Sequence, residues 1–143
     1  MKKVLFMMFF ALLALNMEAQ DKVGASAETV VSDIQYKTGK DAYVKERCKL
    51  DVYYDKNLKD CPVVVWFHGG GLTGGHKELP ATLKKQGMVV VGVNYRLLPK
   101  VKIDECLDDC AAAVAWVFKN VEKYGGDSRT FCWRLYYHDA WLG

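Results

Sequence analysis

The sequence predicts an α/β protein, a mostly parallel sheet with helices on its faces. Three observations carry that expectation. Residues 62–67 and 88–93 are continuous β-branched and aromatic runs, the pattern of strands covered on both faces. From Ile103 to Val121 apolar residues recur in steps of three and four, the period of an amphipathic helix. Strand-like and helix-like segments alternate with short connections, which is how parallel sheets are wired.

Taken in order, the chain starts with Met1, Lys2 and Lys3, then an apolar run over residues 4–15, then Asn16-Met17-Glu18-Ala19. A positive start, an apolar middle and a small closing residue read as a secretory signal peptide cleaved after Ala19. The run is shorter than the roughly 20 residues that span a bilayer. The expected product is therefore exported, secreted or periplasmic, and free of the membrane once the leader is removed. Residues 30–36 form a plausible first strand, and residues 49–54 alternate as a second with Leu50, Val52 and Tyr54 on one face. Residues 55–60 are a polar turn before the strand at 62–67. Residues 77–86 have helical composition, Gly87 can end that helix, and the strand at 88–93 completes a βαβ unit.

The long helix places Ile103, Leu107, Cys110, Val114, Val117, Phe118 and Val121 on one face. Asp104 and Glu105 near its start and Lys119 and Lys123 near its end suit the helix dipole, and Gly125-Gly126 stops it. A further strand is expected just after Asp127.

Composition narrows the function. The 143 residues are 51% hydrophobic and 26% charged, an ordinary globular balance for one domain at most. The net charge is only +3, with no basic cluster interleaved with aromatics, so nothing marks a nucleic-acid partner. The five cysteines, Cys48, Cys61, Cys106, Cys110 and Cys132, are odd in number and irregular in spacing. They do not suit a disulfide scaffold. Cys106 and Cys110 lack the second pair that a zinc site needs, so packing is the better reading and neither a metal nor another cofactor is expected. No feature specifies an oligomeric state.

The chemistry lies in His68-Gly69-Gly70-Gly71, directly at the carboxyl end of the strand at 62–67. Parallel sheets place ligands at that end of their strands. Glycines let the backbone approach a substrate closely. In acyl transfer the carbonyl oxygen becomes an oxyanion, and each fixed N–H aimed at it is worth roughly 3 kcal/mol. The amides of Gly70 and Gly71 are the candidate donors. A glycine triplet alone would suggest only a tight turn; its place after a parallel-type strand favours the catalytic reading.

Five motifs then occur in a telling order over residues 48–127. They are Leu50-Asp51-Val52-Tyr53, the run ending in His68-Gly69-Gly70-Gly71, and Asn94-Tyr95-Arg96-Leu97-Leu98-Pro99. Asp108 ahead of Ala111-Ala112-Ala113-Val114-Ala115-Trp116 and Tyr124-Gly125-Gly126-Asp127 complete the set. This resembles the amino-terminal half of an α/β-hydrolase, in the carboxylesterase and lipase group of the hormone-sensitive-lipase type. The resemblance implies hydrolysis of a small-molecule carboxylic ester by a serine nucleophile, with Gly70 and Gly71 as the oxyanion hole. His68 and Gly69 support the loop. Tyr95, Arg96, Asp108 and Asp127 are implied to be structural.

The resemblance stops after Asp127, where the family continues into a strand and a G-x-S-x-G elbow carrying the serine. Residues 128–143 hold no such elbow, and no buried strand is expected among them, which would leave 62–67 as an unpaired edge prone to aggregation. Ser128 is a decoy, because Arg129 follows where a small residue is needed and no strand precedes it. Ser128, His138 and Asp139 match a triad in type only.

Read one nucleotide later, the codons from Arg129 to Tyr136 permit Gly-His-Ser-Ala-Gly-Gly-Tyr. The expectation is a frameshift, with a few codons lost near Asp127, that removed the nucleophile from the frame. The expected organisation is a leader at 1–19, the amino-terminal half of a hydrolase domain at 20–127 and an aberrant tail at 128–143. Such enzymes usually need roughly 200 residues or more. The chain is expected to be inactive as it stands. The alternative is a small exported protein that binds an acid or ester, or a partner, without catalysis.

Overall fold

A computed structural model describes residues 27–135. The expected leader lies outside the described residues, as do His138 and Asp139. The elements in chain order are β1 (Glu28–Gln35), α1 (Ala42–Arg47), β2 (Lys49–Asp55), β3 (Cys61–Phe67), β4 (Val89–Val93), α2 (Ile103–Asn120) and β5 (Gly126–Leu135). The strands form one sheet in the order β1-β2-β4-β3-β5. β2 is antiparallel to both β1 and β4, whereas β3 runs parallel to β4 and β5. Four of the five strands thus share a direction and β2 opposes them, in keeping with the expected mostly parallel sheet.

One face of the sheet carries the core. Leu50, Val52, Val63, Val65, Phe67, Val89, Val91 and Val93 pack there against Ala113, Val117 and Val121. α1 begins at Asp41, whose carboxylate accepts from the Tyr43 amide at 2.9 Å, so an unpaired helix N–H is satisfied. At α2 the Glu105 carboxylate accepts from the Lys102 amide at 3.0 Å and does the same.

Four expectations are corrected. First, residues 77–86 are not a helix; only Ala81–Leu83 makes a short 3-10 turn. Pro80 removes an N–H and disfavours helical backbone before it. The segment instead crosses the second face of the sheet. Lys77 bonds Asp51 at 2.7 Å, Glu78 accepts from the Trp66 indole at 2.9 Å, and the Lys85 amide donates to the Tyr53 hydroxyl at 3.0 Å. A side chain on Gly92 would collide with the Glu78 carbonyl, so glycine lets the crossing lie against β4. The parallel pairing of β3 with β4 therefore stands without a helix between them.

Second, β4 is buried along its whole length, but β3 is not: Val63, Val65 and Phe67 are buried while Val64 and Trp66 are only half-buried. Third, α2 is rotated by about a quarter turn from the expected face. Cys106, Asp109, Ala113 and Val117 point inward. Ile103, Leu107 and Phe118 remain 52%, 56% and 48% exposed. Small Ala113 lets the helix approach the sheet, and Asp109 turns in to meet Arg96.

Fourth, the open edge expected at 62–67 does not exist: the strand expected just after Asp127 forms as β5, and residues 128–135 belong to it. Its Phe131 to Leu135 pair with Val63 to Phe67, so β3 is an interior strand and not an edge. Thr130, Phe131, Cys132 and Trp133 favour extended backbone, and no glycine or proline interrupts them.

Candidate active site

β3 lies between two parallel neighbours, with Phe67 level with Val93 on one side and Leu135 on the other. Beyond Phe67 the chain enters His68-Gly69-Gly70-Gly71 at the carboxyl ends of all three strands. His68 is 3% exposed. The Tyr95 ring stacks on it at 4.6 Å with 10° between planes, and the Tyr95 hydroxyl donates to the His68 carbonyl at 2.8 Å. Tyr95 is thus structural, as the resemblance implied. The imidazole is held at both nitrogens, with Nδ1 2.8 Å from the Gly69 carbonyl and Nε2 3.3 Å from a guanidinium nitrogen of Arg47. Burial lowers the proton affinity of His68, and the nearby Arg47 charge acts in the same direction against the opposing Gly69 carbonyl. Both effects favour the neutral ring.

The loop needs its glycines at specific places. Gly70 has φ 117° and Gly75 φ 101°. A Cβ on Gly70 would strike the Gly74 carbonyl, and one on Gly75 would strike the Gly69 carbonyl and the His68 ring. Gly71 has φ 59° but opens onto free space. The Gly70 carbonyl turns into the loop and accepts from the Thr73 and Gly74 amides, both at 3.1 Å. The amides of Gly70 and Gly71 themselves donate to no group among the described residues, and both residues are exposed. Two adjacent N–H groups are therefore presented at the end of a central strand.

Below the loop lies a residue that the sequence reading missed. Arg47, the last residue of α1, is 6% exposed and contacts Tyr95, Gly75, His68 and His76. Its sequence signal is faint: it stands three residues after Val44, and the two are the buried residues of α1. A second buried ionic group holds the connection after β4. Arg96 grips Asp109 through Nε at 2.7 Å and Nη2 at 2.9 Å, and Lys37 adds a contact at 2.6 Å. This corrects the expectation for Asp108, which is exposed while its neighbour Asp109 is fully buried. Burial raises the Asp109 proton affinity, but the bonds from Arg96 and Lys37 outweigh it and hold the carboxyl below its ordinary value.

Ser128 is at the wrong end of the sheet. It follows Gly126, which is level with Cys61 at the start of β3, and its hydroxyl donates to Glu122 at 3.2 Å. The described cysteines are all free thiols. Burial pushes Cys48 up to about 11 and Cys110 up to about 12, and Cys106 donates to the Arg96 carbonyl. No group of His, Cys, Asp or Glu among the described residues could hold a metal ion.

A sheet of this order, with a glycine turn delivered by a central parallel strand and packed on a buried histidine, defines the amino-terminal half of an α/β-hydrolase of the carboxylesterase class. Esterase B from Lactobacillus rhamnosis superposes with a TM-score of 0.60 at 25% identity, over 85% of this chain and 40% of that one. A thermophilic pNB esterase gives 0.55 at 30% identity, over 62% of this chain and 22% of its own.

Among curated proteins, tuliposide A-converting enzyme b1 of Tulipa gesneriana is 41% identical over 81 residues, 52% of this chain and 22% of that enzyme. Carboxylesterase NlhH of Mycobacterium tuberculosis is 37% identical over 82 residues, 53% of this chain and 26% of that enzyme. The matched part thus spans about a fifth to a quarter of the length of these relatives. The BD-FAE family model matches residues 50–133, and the chain belongs to that family.

Proposed function

We propose that residues 68–71 are the oxyanion-binding loop of a serine carboxylic-ester hydrolase, with the Gly70 and Gly71 amides as donors and His68 and Gly69 as supports. The observation that carries this reading is the pair of exposed, unengaged amides at the end of β3. In ester hydrolysis a serine attacks the carbonyl carbon, the carbonyl oxygen takes up negative charge, and fixed amides stabilise it without reorganising. His68 is not the general base, because Gly69 and Arg47 occupy both ring nitrogens and leave no lone pair for the serine proton. The substrate class is a small carboxylic ester, handled without metal or cofactor, by a product exported through the leader at 1–19.

Residues 128–143 contain no G-x-S-x-G, and Ser128 is remote from the loop. Our reading is that this chain binds an ester carbonyl or a carboxylate at the loop but does not turn ester over, the elbow having been lost to a frameshift near Asp127. Gene sequencing reads that history directly; a Phe131 codon other than TTC is incompatible with it.

The protein test uses the exported form beginning at Gln20. Titration of ¹⁵N-labelled protein with butyrate is expected to move the Gly70 and Gly71 amide resonances more than any others. Uniform or absent shifts would remove the oxyanion reading. p-Nitrophenyl acetate hydrolysis is expected at the buffer rate, and turnover abolished by Ser128→Ala would overturn the inactive reading.

A further inference from the structure

The guanidinium of Arg47 is a buried cation that pairs with no carboxylate among the described residues. Burying a charge without a counter-ion is costly, so its other contacts must compensate and its position calls for a reason. Nε donates to the Tyr95 carbonyl at 3.0 Å and Nη2 to the Gly75 carbonyl at 3.0 Å. The same Nη2 lies 3.3 Å from His68 Nε2.

A guanidinium has only donors, so the histidine nitrogen that faces it must present a lone pair. The proton of the neutral ring is thereby assigned to Nδ1. That nitrogen lies 2.8 Å from the Gly69 carbonyl, which can only accept. The Gly69 carbonyl and the Gly70 amide belong to one planar trans peptide and point in opposite directions. Holding the carbonyl against His68 aims the Gly70 N–H away from the ring, toward open solvent.

We infer that Arg47 is the positioning residue of the loop: by capping His68 Nε2 it fixes the Nδ1–H tautomer, which anchors the Gly69 carbonyl and orients the Gly70 amide toward a ligand. Arg47 touches neither substrate nor reacting atoms. It acts through His68 and, by its bond to Gly75, also ties down the part of the loop that lies against the Gly69 carbonyl and the His68 ring. This inference rests on the oxyanion reading for its purpose, although its geometry stands without it.

¹⁵N spectroscopy of the histidine ring distinguishes the two neutral tautomers. In the exported chain near pH 8, above the ordinary histidine range, His68 is expected as the Nδ1–H tautomer. This measurement needs no variant, and finding the Nε2–H tautomer overturns the inference. Arg47→Met is expected to release Nε2, change the tautomer, and weaken the butyrate response of Gly70 about tenfold, the loss expected when one well-placed bond to an anion is misaimed. A folded Arg47→Met protein that keeps the Nδ1–H tautomer overturns it. Arg47→Lys keeps a donor and is expected to restore the tautomer; a folded lysine variant in the Nε2–H form also overturns it. If Gly70 in the parent chain ignores butyrate, the ester reading falls, while the tautomer comparison still decides the role of Arg47.

Discussion

Gly70, Gly71 and Gly75 all have positive φ, yet alanine at each meets different surroundings. At Gly71 the new methyl finds open space, so Gly71→Ala is expected to lose only the backbone preference, ~1–2 kcal/mol. At Gly75 the methyl collides with the Gly69 carbonyl and the His68 ring, and the loop itself must move. Urea midpoints should rank Gly75→Ala well below Gly71→Ala, and amide shifts around His68 should change in the former. Equal midpoints would show that the loop yields freely.

Asp109 supplies the second residue-scale prediction. Removing the carboxylate that takes two bonds from buried Arg96 leaves that cation only the more exposed Glu105 and Asp41, and Asp109→Ala is expected to cost ~3 kcal/mol. Because its proton affinity is depressed in the fold, the folded state binds fewer protons than the unfolded chain just below pH 4. The Asp109 contribution is complete above that pH and is lost as pH falls through the folded value, so the parent's acid unfolding should be steeper than that of Asp109→Ala.

These residues also show what was legible. The glycine loop was, because its composition is unusual at that place. Arg47 was not, because in Lys45-Glu46-Arg47 it resembles any surface charge. Asp108 and Asp109 could not be told apart without the helix rotation that buries one of them.

At the scale of elements, runs of β-branched residues identified β3 and β4 because burial selects them whatever the connections do. The segment between them misled because composition favours a helix while most of its partners lie on the sheet, among them Asp51, Tyr53, Trp66 and the backbone of Gly92. Such tertiary partners override local propensity. Gly92→Ala tests this arrangement, since its methyl would push Glu78 off the sheet. The Trp66 indole resonance is expected to shift, with loss of ~1–3 kcal/mol in stability from overpacking. An unshifted indole would mean that the crossing is loosely held. β5 was expected by its place after Asp127, but its pairing with β3 was not, for the opposite reason. Its exposed Arg129, Thr130 and Cys132 give it no apolar signature, and backbone pairing to β3 defines it.

The rotation of α2 matters most for the molecule as a whole. Side chains left on its outer side, with Phe67 from β3, line an apolar groove of about 470 Å³ in which Leu107, Cys110, Val114 and Phe118 take part. The two largest of these on the helix are also among the most exposed apolar residues described. Beside the groove β5 has a neighbour on one side only among the described residues, so apolar surface and strand edge coincide, a combination that favours aggregation. The liability anticipated for β3 has thus moved one strand outward.

Charge on the helix should reduce it, and the two positions should behave differently. Leu107→Lys exchanges an exposed side chain and should change stability by no more than ~0.5 kcal/mol while raising the soluble fraction. Phe118 also packs on Phe131 with ring centres 4.7 Å apart. Phe118→Lys should therefore raise solubility but lower the urea midpoint, by the ~0.5–1.5 kcal/mol typical of an aromatic pair. Binding of a hydrophobic dye should fall in both variants. A dye signal that persists would place the exposed apolar surface elsewhere than on α2, and an unchanged midpoint for Phe118→Lys would mean that the Phe118–Phe131 contact does not help to hold β5.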